Sequence, residues 1–109
     1  MDLTQKKCVA CEGAEIPLRR SEADILLKQV PGWVISEDGK KISREFNFKD
    51  FKESMAFVNK MAEIAESEGH HPDIYIFYAN VKLELWTHAI GGLFENDFIV
   101  AAKINKLSN

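Results

Sequence analysis

The sequence feature that most limits the fold is a change of hydrophobic period at about Asp50. From there to Glu68, apolar residues recur every three or four positions, which predicts one long amphipathic helix. On both sides of this segment apolar and polar residues alternate, as is typical of strands. One long helix between two strand pairs favours an antiparallel sheet with helices packed against it.

The predicted long helix carries two apolar stripes. We assign the first stripe to the core; it comprises Phe51, Met55, Val58, Ala62 and Ala65. The second stripe lies beside it and comprises Phe57, Met61 and Ile64. Because the two stripes together exceed what one small sheet covers, we expect the second to be a contact between subunits.

A shorter helix precedes the first strand pair. Ser21-Glu22-Ala23-Asp24 resembles a capping box in which the Ser21 hydroxyl accepts a backbone N–H. The predicted core stripe of this helix is Ile25, Leu26, Leu27 and Val30. Pro31-Gly32 ends the helix. A last helix is predicted from Asn96 to about Leu107, after the break at Gly91-Gly92.

Two strand pairs complete the pattern. The first pair is Trp33–Ile35 and Ile42–Phe48, joined through Asp38-Gly39, a dipeptide that favours tight hairpin turns. The second pair is Ile74–Tyr78 and the alternating segment Val81–Leu85. The element order is α-β-β-α-β-β-α. We predict an α+β fold in which three helices cover one face of a four-stranded antiparallel sheet.

The turn of the second hairpin decides where the histidines lie. A two-residue turn at Ala79-Asn80 places His71 opposite His88. All histidines of the chain, three in number, then collect at one end of the sheet. Two carboxylates join them there: Glu66 on the last turn of the long helix, and Asp97 at the start of the last helix, where the helix dipole favours a negative charge.

Three explanations compete for the gathered histidines. Histidines often fill structural positions, so packing is the first. A zinc or iron site is the second, since His with Asp or Glu suits both metals. Against a metal, His70 and His71 are adjacent, and neighbouring strand residues project to opposite faces. General acid–base catalysis is the third, because the ordinary imidazole pKa lies near about 6.5.

Composition limits the class of ligand. The 109 residues fit one domain. Lys and Arg number 14 against 17 Asp and Glu, a net charge of −3, so no excess of positive charge favours direct binding to nucleic acid. The first fifteen residues hold no apolar run, and no segment has the length and hydrophobicity of a membrane span. We expect a cytoplasmic protein.

Cys8 and Cys11 form a C-x-x-C in a polar leader, residues 1–17, which precedes a single domain at residues 18–109. Such a pair is found as half of a zinc site or as a redox pair. The leader lacks the strand-to-helix setting of a redox pair, and the chain has no second pair. We expect an exposed leader without chemistry, with completion of a metal site by a second subunit left open.

The segments around the histidines resemble a known family. They are Glu66–Pro72 with its aromatic strand, Thr87-His88, and Gly91-Gly92-Leu93 leading to Asp97. Together they strongly resemble the pterin-4a-carbinolamine dehydratases, also known as dimerisation cofactors of a homeodomain transcription factor. The resemblance runs from about Leu18 to the C-terminus.

The resemblance implies the α+β fold described above and a lyase activity. The family dehydrates 4a-hydroxytetrahydrobiopterin, a product of aromatic amino acid hydroxylases, to quinonoid dihydropterin. It implies neither a metal nor a cofactor, because the pterin is the substrate. It also implies a homodimer or homotetramer and a link to a hydroxylase system, with no direct contact to nucleic acid or membrane.

The resemblance assigns roles by position. His70 and His88 would do the acid and base work, and His71 would chiefly hold the pterin, so the three form the catalytic set. The supporting carboxylates would be Glu66 and Asp97. The substrate site would also be lined by Thr87 and Trp86.

The chain departs from the family pattern at two positions. Ile74 stands where some members have Trp, which removes a stacking surface for the pterin. Phe94 stands where members often have Ser or Thr, which removes an N-cap three residues before Asp97. The alternative function is a non-catalytic pterin-binding or protein dimerisation module with a vestigial pocket. The intact histidines favour the enzyme.

Overall fold

The computed structural model describes residues 2–9 and 15–107. Its helices are α1 (Arg20–Leu27), α2 (Phe51–Glu68) and α3 (Glu95–Leu107), and its strands are β1 (Val34–Ile35), β2 (Ile42–Asn47), β3 (Asp73–Phe77) and β4 (Asn80–Leu85). The strands form one antiparallel sheet in the order β1-β2-β4-β3. The predicted fold class and element order are confirmed. In the part of the chain described, no helix is both long and apolar enough to span a membrane.

The core lies between one face of the sheet and α3. On the two central strands, alternate side chains are buried: Ile42 and Phe46 on β2, and Val81, Leu83 and Leu85 on β4. Most of α3 is buried as well, because α1, α2 and a short 3₁₀ turn at the N-terminus all pack against it. Burial of so much of one helix makes α3 the centre of the helical layer.

Helix α2 has the predicted bounds. The carboxylate of Asp50 accepts a hydrogen bond from the backbone N–H of Glu53 at 2.9 Å and caps the first turn. Gly69 ends the helix in the left-handed region, at φ 63°. That conformation favours glycine and turns the chain out of the helix toward β3.

The two stripes of α2 share the core instead of dividing between core and surface. Val58 and Ala65 of the first stripe are buried as predicted, but residues of the second stripe are buried with them. Phe57 and Met61, which were assigned to a subunit contact, are buried in the core, whereas Phe51 of the supposed core stripe is half exposed. The rings of Phe46 and Phe48 lie 4.6 and 5.1 Å from the ring of Phe57. These aromatic contacts, with β2 and with the residue that follows it, set the rotation of the helix, which periodicity alone left open.

Helix α1 starts earlier than predicted. The backbone N–H of Arg19 donates to the carboxylate of Glu22 at 2.9 Å, so the cap lies at Arg19 and the prediction of a Ser21 cap is wrong. In the helix that results, Ala23 is the buried residue. Ile25, predicted to be in the core, is 63% exposed.

The first hairpin has the predicted turn, closed by a hydrogen bond from the N–H of Ser36 to the carbonyl of Lys41. The second hairpin turns at Tyr78-Ala79, so the predicted turn at Ala79-Asn80 is wrong. Tyr78 takes up the left-handed conformation, at φ 53°. Asn80 instead belongs to β4 and pairs with strands on both sides.

The corrected turn changes the register by two residues. Ile74 pairs with Leu83 rather than Leu85. The predicted pairing of His71 with His88 is therefore wrong, since continuing the observed register brings His71 level with Trp86. A shift of two residues keeps every side chain on its predicted face, so the histidines still meet at the same end of the sheet.

We expect Met61→Ala to lower the free energy of unfolding by about 2–5 kcal/mol, because it leaves a cavity in the core. Ile25→Ala, which truncates an exposed side chain, should change it by about 0.5 kcal/mol or less. Urea denaturation followed by circular dichroism measures both. Equal losses in the two variants would contradict the assignment of core and surface.

Candidate active site

His70 is placed by the end of α2. Its backbone N–H donates to the carbonyl of Ala65 at 3.1 Å, which closes the turn around Gly69. The side chain is largely buried, and its Nε2 lies 2.6 Å from Oδ1 of Asp97. Pro72, also buried, follows and leads the chain into β3. Local sequence thus fixes the backbone position of His70, and the contact with Asp97 orients its imidazole.

Asp97 is completely buried and has three hydrogen-bonding partners. Oδ1 meets His70, and Oδ2 accepts the Thr87 hydroxyl at 2.8 Å and the backbone N–H of Phe94 at 3.0 Å. The carboxylate lies in the first turn of α3, where the helix dipole stabilises negative charge. Phe94 offers no cap of its own, and the side chain of Asp97 bonds back to its N–H. The start of α3 is secured by this bond.

His88 lies on the loop that follows β4. Thr87 opens this loop by pairing with Gly92, whose carbonyl accepts the Thr87 N–H at 2.8 Å. A 3₁₀ turn from His88 to Ile90 fills it. The ring of His88 lies against that of Trp86, with centroids 4.0 Å apart. The ammonium nitrogen Nζ of Lys41, the residue before β2, lies over the Trp86 ring at 5.0 Å from its centroid, as in a cation–π contact.

His71 has a different environment from His70. Its Nε2 lies 2.8 Å from Oε1 of Glu66, and both side chains are well exposed. Such a surface pair contributes little to stability and is screened by salt. The adjacent histidines therefore use separate carboxylates, one buried and one exposed.

A cleft of about 460 Å³ joins these groups. It is lined by Cys8, Val9, Glu68, Gly69, His70, His71, Trp86, Thr87, His88, Ala89 and Asn96. Its volume lies within the range of small-molecule binding sites. Of the predicted site residues, the three histidines, Trp86 and Thr87 line the cleft. Asp97 lies behind His70, and Glu66 reaches the site only through His71.

The described residues contain no group of three or more His, Cys, Asp or Glu side chains arranged to hold a metal ion. The histidines divide between different partners, so within the described part of one chain they do not converge on one point.

The described part of the leader, residues 2–9 and 15–17, is not fully exposed as the sequence predicts. Leu3 is buried, and Cys8 is partly buried at the cleft. Burial, together with the negative charge of Glu68, raises the pKa of the Cys8 thiol to about 12. A thiol of this kind is a poor nucleophile at neutral pH. Cys11, its partner in the C-x-x-C, lies outside the described residues.

Six lining residues were not among the predicted site residues: Cys8, Val9, Glu68, Gly69, Ala89 and Asn96. Glu68 and Asn96 lie close in sequence to His70 and Asp97, and this closeness was the only indication of their role. Nothing in the sequence marks Val9, because its contacts with Asn96 join segments 87 residues apart.

Comparisons with known proteins identify the family of this chain. The family model described as pterin 4 alpha carbinolamine dehydratase matches residues 16–107. The chain belongs to this family. A relative from Halorhodospira halophila, provisionally named as a dehydratase of this kind, is 46% identical over 98% of both chains. Pterin-4-alpha-carbinolamine dehydratase 2, mitochondrial, of Arabidopsis thaliana is 48% identical over 97% of this chain and 59% of its own length.

Solved structures show the same fold. A transcriptional coactivator/pterin dehydratase from Brucella melitensis superposes with a TM-score of 0.81 at 33% identity, covering 85% of this chain and 99% of its own. A pterin dehydratase-like protein described as a RuBisCO assembly factor in the alpha-carboxysome has a TM-score of 0.62 at 23% identity, covering 72% and 90%. The second likeness concerns the fold alone.

We expect Asp97→Ala to lower the free energy of unfolding by about 1–3 kcal/mol, because it removes the buried acceptor of Thr87 and Phe94. Glu66→Ala removes an exposed carboxylate and should cost less than about 1 kcal/mol. Chemical denaturation measures both. If Asp97→Ala left the free energy of unfolding unchanged, the hydrogen bonds of the buried carboxylate would not stabilise this part of the fold.

Proposed function

We propose that this chain dehydrates pterin-4a-carbinolamine to quinonoid dihydropterin by acid–base catalysis at His70 and His88. The observation that carries the proposal is the convergence of all three family-motif histidines in one cleft, with one of them buried against Asp97. The family and the names of the relatives support the substrate class. The proposed role is recycling of tetrahydrobiopterin beside an aromatic amino acid hydroxylase.

The reaction needs one proton given and one taken. The 4a-hydroxyl is a poor leaving group until an acid protonates it and it departs as water. The N5 proton must leave as the C4a=N5 double bond forms. An imidazolium supplies the first proton and a neutral imidazole accepts the second, and each step contributes typically about 10²–10⁴-fold.

The geometry favours His70 as the base. A buried carboxylate that already accepts from Thr87 and Phe94 can only accept from His70 as well, so Nε2 carries the hydrogen. Nδ1 is then the nitrogen free to take a proton. The imidazolium formed in that step is stabilised by the charge of Asp97. The acid role falls to His88, and the two histidines exchange protons through solvent between turnovers.

The remaining lining residues suit a flat, hydrogen-bonding ligand. Trp86 lines the cleft beside the ring of His88, and an indole is a large aromatic surface on which a flat ring can stack. Ile74, which stands where some family members have Trp, does not line the cleft. Stacking on the pterin is therefore assigned to Trp86, with Thr87 and His71 as polar partners.

We expect His70→Ala and His88→Ala to slow dehydration by roughly 10²–10⁴-fold each, because each removes one proton-transfer group. His71→Ala should raise KM more than it lowers kcat. Stopped-flow absorbance with synthetic 4a-carbinolamine gives both constants, and the wild-type rate should survive a chelator. Unchanged rates in both His70→Ala and His88→Ala would disprove the mechanism.

We also propose that two copies associate through β3. This strand lies at the edge of the sheet, and its apolar side chains are unusually exposed: Ile74, Tyr75, Ile76 and Phe77. An exposed apolar edge strand is a template for pairing with another strand. A homodimer, or a homotetramer built from it, would cover this surface.

We expect Ile76→Lys to convert the oligomer to monomer, because it places a charge in the middle of that edge. Val34→Lys puts the same charge on β1, at the opposite edge, and should leave the assembly intact. Light scattering at micromolar concentration distinguishes the species. A monomeric wild-type protein would overturn the proposal.

The second candidate function is a protein-binding module. The Brucella melitensis structure, described as a coactivator as well as a dehydratase, favours it, as does the exposed edge of β3. Such a module would not depend on the histidines. Binding of a protein partner that persists in His70→Ala, without dehydration by the wild-type chain, would favour this candidate over the enzyme.

A further inference from the structure

We propose that the leader residues Cys8 and Val9 form a fixed wall of the substrate cleft and help to determine how tightly a pterin is held. The inference rests on the proposed function for the identity of the ligand. It assigns a role in substrate binding to a segment that precedes the residues matched by the family model, which begin at Ile16.

The wall is clamped to α3 by a reciprocal pair of hydrogen bonds. The backbone N–H of Val9 donates to Oδ1 of Asn96 at 3.0 Å, and Nδ2 of Asn96 donates to the carbonyl of Val9 at 2.7 Å. Asn96 is almost completely buried. A buried amide that satisfies both backbone groups of one residue fixes that residue in place, because breaking the pair leaves polar atoms without partners.

A second clamp ties the leader to α2. The backbone N–H of Cys8 donates to Oε1 of Glu68 at 2.9 Å, while Oε2 of Glu68 receives Nζ of Lys103 at 2.6 Å. Burial acts to raise the pKa of Glu68, but the bonds and charge supplied by Lys103 and the Cys8 N–H outweigh it and lower that pKa. The carboxylate therefore stays ionised and keeps both contacts at neutral pH.

The two residues that hold the leader lie next in sequence to the pair formed by His70 and Asp97. Glu68 lies two residues before His70, and Asn96 directly precedes Asp97. Nearer the N-terminus, Leu3 is buried and Lys6 pairs with Glu95 at 2.8 Å. The leader thus bridges the two helix ends that hold the His70–Asp97 pair.

The side chains of this wall are suited to contact rather than chemistry. Val9 lines the cleft and is 59% exposed, so a ligand can cover it. The Cys8 thiol is held protonated, which makes it a small apolar surface. The curated relatives align over 97–98% of this chain, a length that includes much of the leader. The wall therefore belongs to the part of the chain that these relatives share.

The first experiment changes the size of the wall in the full-length protein. Val9→Trp should raise KM for the 4a-carbinolamine by roughly tenfold, because the indole occupies part of the cleft. It should leave kcat within about twofold, since no proton-transfer group is altered. Val34→Trp is the matched control: Val34 is 61% exposed on β1 and does not line the cleft. Equal KM values in the two variants would overturn the inference.

The second experiment reads binding without turnover. In a Cys11→Ser background, Cys8 should react slowly with excess maleimide, because its thiol is held protonated. Saturating 7,8-dihydrobiopterin should slow this labelling by a further factor of about ten, because the ligand covers the thiol. Asn96→Asp keeps an acceptor for Val9 but loses the donor, so labelling in the absence of pterin should accelerate. Labelling that pterin does not affect, when calorimetry shows the pterin bound, would overturn the inference.

The two experiments separate the inference from the proposed function. Protection of Cys8 in a protein that shows no dehydration would sustain the wall and refute the enzyme. Dehydration with a normal KM in Val9→Trp would sustain the enzyme and refute the wall.

Discussion

The buried carboxylate of Asp97 is the interaction on which the arrangement of the site depends. It joins the end of α2 through His70, the loop after β4 through Thr87, and the start of α3 through Phe94. A buried charge is costly unless it is paired and hydrogen-bonded, and here each bond comes from a different segment. The same set of bonds holds His70 in place, so in the proposed mechanism one group serves both stability and catalysis.

The cleft is completed by a part of the chain that lies far from it in sequence. Glu68 and Asn96 stand next to the catalytic elements and hold the backbone of Cys8 and Val9. Because both anchors are largely buried, the leader is coupled to the positions of His70 and Asp97 rather than lying loosely over them. In the proposed mechanism, substrate binding at the leader and the orientation of His70 are therefore linked through the same two helix ends.

The prediction succeeded where one local interaction decides the outcome. Helix α2 begins at a capping carboxylate and ends at a left-handed glycine, and both can be identified in the sequence. The prediction was wrong where a residue can form either of two local structures and long-range contacts decide between them. Asn80 is a good turn residue, but pairing with β2 and β3 holds it in a strand, and Tyr78 takes the left-handed position instead. The rotation of α2 likewise depends on contacts with Phe57 that periodicity cannot rank.

The sequence by itself determined the element order, the family and the gathering of three histidines at one end of the sheet. Those conclusions depend on hydrophobic period and local spacing, which are properties of neighbouring residues. Only the tertiary structure decided that His70 is paired with the buried Asp97, that His71 is paired with the exposed Glu66, and that Val9 reaches the cleft. Each of these depends on the packing of separate elements, because burial and long-range hydrogen bonds exist only once those elements meet.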